Sequence, residues 1–188
     1  MNFNYPEIGK AATLLLEAAG YHVRLSDHVC CGRPMISKGL AETARIHAAQ
    51  NIQNLHSLVL AGYFIVGCEP SCILTLRDEY RDLVDGNAVE EVAGASYLLE
   101  EFITREINAK RWNINFKQPR TKALVHTHCH EKALIGSEPL KESLAGAYDV
   151  EDLDSGCCGM AGSFGYEKEH YDISMKIGLE RLFPRIES

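Results

Sequence analysis

Long hydrophobic runs are missing from this sequence of 188 residues. The longest apolar stretch, from Leu58 to Cys68, is too short to cross a bilayer as a helix. The first ten residues have neither a positively charged start nor an apolar core, so they do not form a secretory signal peptide. We therefore predict a chain without a transmembrane segment.

Clusters of basic residues are missing as well. The chain has 19 lysines and arginines against 26 aspartates and glutamates, and its formal net charge is -7. Because phosphate contacts need a positive surface, this balance argues against binding of nucleic acid. Hydrophobic residues make up 46% and charged residues 24%, which is typical of a globular protein with a packed core.

Cysteine is sparse for a secreted disulfide scaffold. The chain contains seven cysteines, which is an odd number. We therefore predict a reducing, cytoplasmic location, where clustered cysteines more often serve metal or redox chemistry.

The hydrophobic pattern alternates between helical and strand-like segments. Strands are predicted at 21–25, 63–68, 123–128 and 148–154, and helices at 6–20, 37–60, 69–84, 87–110 and 131–146, with a last helix ending near Pro184. This order predicts an α/β fold of two similar Rossmann-like halves with mainly parallel sheets. The halves are predicted at 1–110 and 120–188, joined by a polar linker at 111–119.

Two pairs of adjacent cysteines, each followed by glycine, stand out from the rest of the sequence. The pairs are Cys30–Cys31 and Cys157–Cys158, and each follows a predicted strand. Ligands of open α/β sheets bind at the carboxyl ends of the strands. Since the same order of elements surrounds both pairs, at Pro6–Leu60 and Glu131–Pro184, we predict an internal duplication.

Three explanations compete for the paired thiols. A disulfide between neighbours is strained, because adjacent Cα atoms are about 3.8 Å apart and disulfides usually need roughly 4.4–6.8 Å. Inert buried thiols would not explain the repeated glycines. Ligation of a metal or cluster explains both, because glycine lets backbone N–H groups approach the sulfur atoms closely.

The remaining cysteines are further candidate ligands, and the arguments for them differ. Cys72 lies in the first turn of a predicted helix, where a lowered pKa and a thiolate are expected. Cys68 ends an apolar strand and suits either the core or a metal site. Cys129 lies among His126, His128 and His130, and because these alternate along a strand end, at most one face can point at a site.

Together these motifs resemble a known family. The stretches "CCGRPMISKGL", "EPSCILTLRDEY", "HTHCHEKAL" and "DSGCCGMAGSFGYEKEHYDISMKIG" are similar to the cysteine-rich CCG domain of heterodisulfide reductase B subunits and glycolate oxidase iron–sulfur subunits. The similarity extends to the C-terminal iron–sulfur part of fused FAD-linked oxidases. The resemblance implies six cysteine ligands for an iron–sulfur cluster, or for zinc in some members: Cys30, Cys31, Cys72, Cys129, Cys157 and Cys158.

The chain departs from the family pattern at three places. Glu69 stands where a Cys-x-x-Cys element would begin, with Cys68 one residue away. Asn2 occupies the position that matches Cys129 in the first half, and the partner of Cys72 in the second half would fall beyond Ser188. Each half is therefore expected to lack one ligand, as in a fragment or a shortened relative.

The resemblance implies an electron-transfer module of an FAD-linked 2-hydroxy-acid oxidoreductase. The FAD would lie on a partner or on a missing segment, and any association with a membrane would go through partners. One alternative is a zinc-binding structural module, in which Cys129, Cys157, Cys158 and one histidine, His128, complete four ligands. Another is thiol–disulfide chemistry with Cys72 as the reactive thiol. No catalytic residue is assigned.

Overall fold

The structure is a computed structural model that describes residues 5–114, 116, 121–162 and 164–187. The chain divides into two compact units, Met1–Asn115 and Phe116–Ser188. The predicted domain boundaries stay predictions, and residues 115 and 117–119 of the predicted linker lie outside the described residues.

The first unit contains a small parallel sheet surrounded by helices. Its helices are α1 (Pro6–Ala18), α2 (Arg33–Ser37), α3 (Ala41–Leu60), α4 (Pro70–Arg77), α5 (Tyr80–Leu83), α6 (Asn87–Gly94) and α7 (Leu99–Asn108), and its strands are β1 (Ile65–Gly67) and β2 (Ser96–Leu98). The two strands pair in parallel, with Ile65 opposite Ser96 and Gly67 opposite Leu98. Helices α4, α5 and α6 supply the crossover that a parallel pair requires.

Helix α3 forms the centre of the first unit. Its buried apolar residues recur at helical spacing and make one stripe: Ala44, Ala48, Ile52 and Leu55. The stripe packs against α2, α5 and α6. Because its first two members are alanines, a neighbouring backbone can come close to this part of the helix.

The strand predicted at 21–25 is wrong. Residues 21–31 have no regular secondary structure, so the first cysteine pair does not follow a strand. The hydroxyl of Tyr21 donates to the carboxylate of Glu106 at 2.7 Å, and its ring packs edge-on against Phe102. Side-chain contacts therefore hold this segment in place of a strand ladder.

Several predicted helix bounds are also wrong. Ser37 ends α2 instead of capping a long helix, and α3 begins at Ala41 after Gly39, whose φ is +73°. The helix predicted at 87–110 is broken by β2, because the Ala95 carbonyl accepts from Ile65 N–H and continues the sheet. The segments 69–84 and 131–146 are each split into two helices.

The second unit contains another parallel pair of strands. Its elements are β3 (Thr121–Val125), α8 (Cys129–Leu134), α9 (Glu138–Leu144), β4 (Tyr148–Asp152), a 3₁₀ turn (Phe164–Tyr166) and α10 (Tyr171–Glu187). Strands β3 and β4 pair along their full length, from Thr121 opposite Tyr148 to Val125 opposite Asp152. The last helix continues to Glu187, with Pro184 inside it, and so extends beyond its predicted end.

The predicted α/β class with parallel strands is confirmed. Each unit contains one parallel pair with helices in the connection, and the described part of each sheet has two strands. Within the described ranges, none of the helices has the length and apolar character that a bilayer span requires.

A buried carboxylate stabilises the end of α7. Glu106 is 2% exposed and accepts hydrogen bonds from Tyr21, Arg105 and Arg111 at 2.7–2.8 Å. The bonds from Arg111 outweigh the effect of burial and lower the pKa of Glu106. Burial, followed by the hydrogen bond to Glu106, raises the pKa of Tyr21 to about 12. The network ties the irregular segment after α1 to the end of α7.

We expect Glu106→Gln to lower the free energy of unfolding by about 2 kcal/mol at pH 7, because a buried charged acceptor is lost. Since the folded state lowers the pKa below the ordinary 4.5, the stabilisation is present above that pH and is lost as the pH falls through the folded value. The difference between wild type and variant should therefore stay nearly constant from pH 7 down to the ordinary 4.5 and shrink as the pH falls further, as measured by urea unfolding.

The control is Glu90→Gln, which removes the exposed ion pair with Arg81. This change should cost less than about 1 kcal/mol. Equal losses in the two variants, or a Glu106 effect that does not change with pH, would contradict the role given to the buried carboxylate.

Candidate metal centre

Three of the predicted ligands meet in the first unit. Cys30 and Cys31 lie in the loop before α2, and Cys72 lies in the first turn of α4. The thiols of Cys72 and Cys30 both lie close enough to Cys31 to lower its pKa as hydrogen-bond partners. Cys31 is buried at 8% exposure, whereas Cys30 and Cys72 reach the surface. The fold therefore gathers thiols from two distant segments into one group.

The contact between Cys31 and Cys72 lowers the pKa of one thiol and raises the pKa of the other. The hydrogen bond from Cys72, supported by the backbone N–H of Arg33 and by Cys30, lowers the pKa of Cys31 to about 7 despite burial. Hydrogen bonding to Cys31, burial and the Glu69 carboxylate raise the pKa of Cys72. The predicted low pKa of Cys72 is therefore wrong, and Cys31 is the readily ionised thiol of the pair.

Glu69 is a further reason, after the contact with Cys31 and burial, why the start of α4 does not lower the pKa of Cys72. Its side chain caps the helix by accepting from Cys72 N–H at 2.5 Å. Although burial opposes its charge, hydrogen bonds from Cys72 and Ser71 lower the pKa of Glu69. A carboxylate beside the helix start offsets the positive end of the helix dipole, so the thiol next to it is harder to ionise.

Cys68 directly follows β1 but stays apart from this group in its chemistry. Burial and the nearby carboxylate of Glu100 raise its pKa, and no other thiol contributes to the shift. Its surroundings favour the neutral thiol of a core residue. Cys68 as a metal ligand stays a prediction.

The loop that carries Cys30 and Cys31 is held by side chains of α3. Asn51, which is 2% exposed, accepts from Val29 N–H at 2.9 Å and donates to the carbonyls of Val29 and Cys30 at 3.3 Å. One turn earlier, the His47 imidazole contacts the Cys30 carbonyl at 3.1 Å. The sequence analysis missed both residues, although a polar Asn51 within the apolar stripe of α3 was a visible signal.

Gly32 completes this loop. Its φ is +88°, and a Cβ atom there would lie 3.5 Å from Ala44. The glycine after the cysteine pair therefore provides a left-handed turn against the alanine face of α3, from which α2 begins.

The second unit places its three predicted cysteine ligands at two positions. Cys129 begins α8, after β3, whereas Cys157 and Cys158 lie in the loop that follows β4. The Gly159 N–H donates to the Cys157 sulfur at 3.3 Å. Within either unit, the described cysteine, histidine and carboxylate ligand atoms include no set of three that all lie within 4.8 Å of one another. In the described geometry, Cys129, Cys157 and Cys158 therefore do not form a site for a single metal ion.

The histidines near Cys129 have different neighbours. His126 shares a hydrogen bond with Ser155 at 2.9 Å, which links the end of β3 to the loop after β4. His128 caps α8, and its Nδ1 accepts from His130 N–H at 3.2 Å. The Nε2 atom is the imidazole position that this cap does not use. A metal-ligating His128 stays a prediction.

Gly159 is required for packing as well as for its N–H group. Its φ is +82°, and a Cβ atom there would lie 2.3 Å from the Ser174 carbonyl oxygen on α10. The Ser174 hydroxyl donates back to the Gly159 carbonyl at 2.9 Å. The loop after the second cysteine pair is thereby fixed on α10.

The donor set of the first unit fits a thiophilic metal or cluster. Thiolates are the preferred ligands of iron–sulfur clusters and of zinc, and this group provides three sulfur atoms, one of them readily ionised. The Arg33 N–H adds a backbone hydrogen bond to Cys31. Asn2, the residue that matches Cys129 in the first half, lies outside the described residues.

We expect Gly159→Ala to destabilise the chain by at least about 2 kcal/mol, because the new methyl group collides with α10 in a left-handed turn. Gly162→Ala is the matched control, since Gly162 has a φ of +58° and a Cβ atom there would meet nothing within 4 Å. The control should cost about 1 kcal/mol. Chemical denaturation of both variants measures the difference, and equal costs would contradict a close approach at Gly159.

Comparison with known proteins gives a family and several relatives. Residues 1–77 match the family model of the CCG cysteine-rich domain. The C subunit of the anaerobic glycerol-3-phosphate dehydrogenase of Escherichia coli K12 is 31% identical across the whole chain. The lactate utilization protein A 2 of Bacillus cereus Q1 is 27% identical over 91% of the chain, and the lactate utilization protein A 1 of a Bacillus anthracis strain is 26% identical over the same share.

The chain matches only part of the length of these relatives. The chain spans about half (48%) of the length of the dehydrogenase subunit and 72% of the lactate utilization proteins. No solved structure matches the chain at a significant level. The cysteine motifs, the family model and these relatives agree, so residues 1–77 match the cysteine-rich domain of the CCG family, as the sequence resemblance predicted.

Proposed function

We propose that this chain is an electron-transfer module that binds an iron–sulfur cluster through its cysteines. It would serve a flavin-containing dehydrogenase of a small hydroxylated substrate, with a 2-hydroxy acid as the class predicted from the sequence. The relatives include one subunit of a glycerol-3-phosphate dehydrogenase and proteins of lactate utilization, which supports this assignment. FAD would be carried by a partner.

The observation that carries the proposal is the contact of Cys31 with Cys72 and Cys30. These thiols come from two segments that are separated by α2, α3 and β1. Ligation of a metal or cluster requires several thiols at one place, even where this partly buries them. Inert thiols would pack equally well at separate positions.

A bound cluster would supply one-electron chemistry, and the chain would set its environment. In the first unit Cys30, Cys31 and Cys72 are the proposed ligands, with Cys129, Cys157 and Cys158 in the second. Backbone N–H groups donate to a sulfur atom two residues earlier in both units, from Arg33 to Cys31 and from Gly159 to Cys157. Such N–H···S bonds stabilise the more negative, reduced state of a cluster and so raise its potential.

The described thiols of the first unit do not form a closed tetrahedral zinc site. A tetrahedral zinc with Zn–S bonds of about 2.3 Å holds its sulfur atoms about 3.8 Å apart. No three described ligand atoms of the first unit are all within 4.8 Å of one another, so the group is more open than such a site.

Thiol–disulfide chemistry is a second candidate, because the Cys31 and Cys72 thiols are in contact. In this function Cys31 would attack a substrate disulfide, since its pKa of about 7 gives the larger thiolate fraction. Cys72 would then resolve the mixed disulfide. Reduction of a small disulfide that survives Cys31→Ser and Cys72→Ser would rule this candidate out.

We also propose a cytoplasmic location. The seven cysteines are all present as free thiols, and a reducing compartment would keep them so.

We expect the chain, purified without oxygen and reconstituted with iron and sulfide, to be brown and to contain both elements. Cys31→Ser should lose most of the iron of the first site, because it removes the thiol that contacts both other ligands. Iron and acid-labile sulfide assays with the visible spectrum measure the effect.

Cys68→Ser is the matched control, since this thiol stays outside the group, and it should retain the wild-type iron content. Colourless protein with one tightly held zinc per chain would replace the cluster proposal by the zinc alternative. Absence of any bound metal in the wild type would overturn both.

A further inference from the structure

A buried hydrogen-bond network lies directly beneath the first cysteine pair. Asn51 on α3 contacts the backbone of Val29 and Cys30, and its Nδ2 also donates to the hydroxyl of Tyr80 at 2.9 Å. Asn51 is 2% exposed and Tyr80 is fully buried. Burying an amide and a phenol costs free energy unless both are well bonded, so a network of this kind needs a structural or functional reason.

The amide of Asn51 replaces the hydrogen bonds of a strand partner. The segment at 21–31 has no ladder partner, yet Val29 has both its N–H and its C=O satisfied by the one side chain. His47 lies one turn earlier on the same face of α3 and contacts the Cys30 carbonyl. The backbone immediately before the Cys31 thiol is therefore fixed by α3.

The hydroxyl of Tyr80 anchors the Asn51 amide from its buried side. It accepts from Asn51 Nδ2 at 2.9 Å, and burial raises the pKa of Tyr80, so the hydroxyl stays neutral. The amide that bonds the Cys30 carbonyl is therefore held by a fully buried partner.

We propose that Asn51 and Tyr80 form a positioning pair for the first site: Asn51 fixes the Cys30–Cys31 loop, and the buried Tyr80 hydroxyl holds the Asn51 amide in place. This role concerns the chain alone and applies whether or not a cluster binds.

The test of Asn51 uses the metal-free full chain. Asn51→Leu should raise the rate at which iodoacetamide modifies Cys31 by about fivefold, because the loop opens more often when its bonds to α3 are lost. Asn51→Asp keeps the acceptor for Val29 N–H and loses the donor, and it should give a smaller increase. Cys68 serves as the internal reference, and peptide mass spectrometry follows each cysteine separately.

Asn54→Leu is the matched control, since it makes the same change on α3 outside the network. If Cys31 reacts at the wild-type rate in both Asn51 variants, or if Asn54→Leu has the same effect, the positioning role of Asn51 is overturned. Should Asn51→Leu unfold, as judged by circular dichroism, Asn51→Asp still decides the question.

The test of Tyr80 uses the same metal-free chain. Tyr80→Phe removes only the hydroxyl and should raise the rate at which iodoacetamide modifies Cys31, by less than Asn51→Leu does, because the Asn51 amide loses one partner and keeps its bonds to the loop. Tyr97→Phe is the control for a tyrosine elsewhere in the same unit and should leave the rate unchanged. A wild-type rate in Tyr80→Phe would overturn this role, whereas wild-type protein that binds no iron after reconstitution would overturn the proposed function and leave both results standing.

Discussion

The structure of the first site depends on one constraint: a backbone segment without a strand partner must have its polar groups satisfied in some other way. Asn51 meets this requirement for Val29 and Cys30 from the middle of α3. The alanines of that helix face let the loop come close, and Gly32 supplies the left-handed turn that follows. Cys31 consequently reaches the start of α4, where Cys72 lies.

This arrangement has an electrostatic consequence for the site. The contact with Cys31 and burial keep the Cys72 thiol neutral, and the Glu69 carboxylate that caps α4 adds to this effect, so that thiol donates to Cys31 and favours its ionised form. Position at a helix start would by itself have made Cys72 the acidic thiol. The actual order of acidities follows mainly from the contact between the two thiols and from burial.

The two units fix their cysteine loops by related means. In the first, small side chains and an asparagine on α3 hold the loop, whereas in the second Gly159 lies against the backbone of Ser174 on α10. Both loops direct a backbone N–H to the sulfur atom two residues earlier. The glycine after each pair has a left-handed backbone, but the N–H group reaches the second cysteine of the pair in the first unit and the first cysteine in the second unit. Only the second copy of the motif follows a strand.

The sequence by itself determined the α/β class and the match to the CCG family, because apolar runs and the cysteine motifs depend on local pattern. It also located three strands, predicted at 63–68, 123–128 and 148–154, which the structure has with other bounds at 65–67, 121–125 and 148–152. It could not determine that residues 21–31 stay irregular or that a strand interrupts 87–110, since partners distant in the chain decide whether a short extended segment joins a sheet. The meeting of Cys31 with Cys72, the low pKa of Cys31 and the network of Asn51 and Tyr80 were likewise decided by the tertiary structure. Each of these depends on contacts and burial that only the folded chain creates.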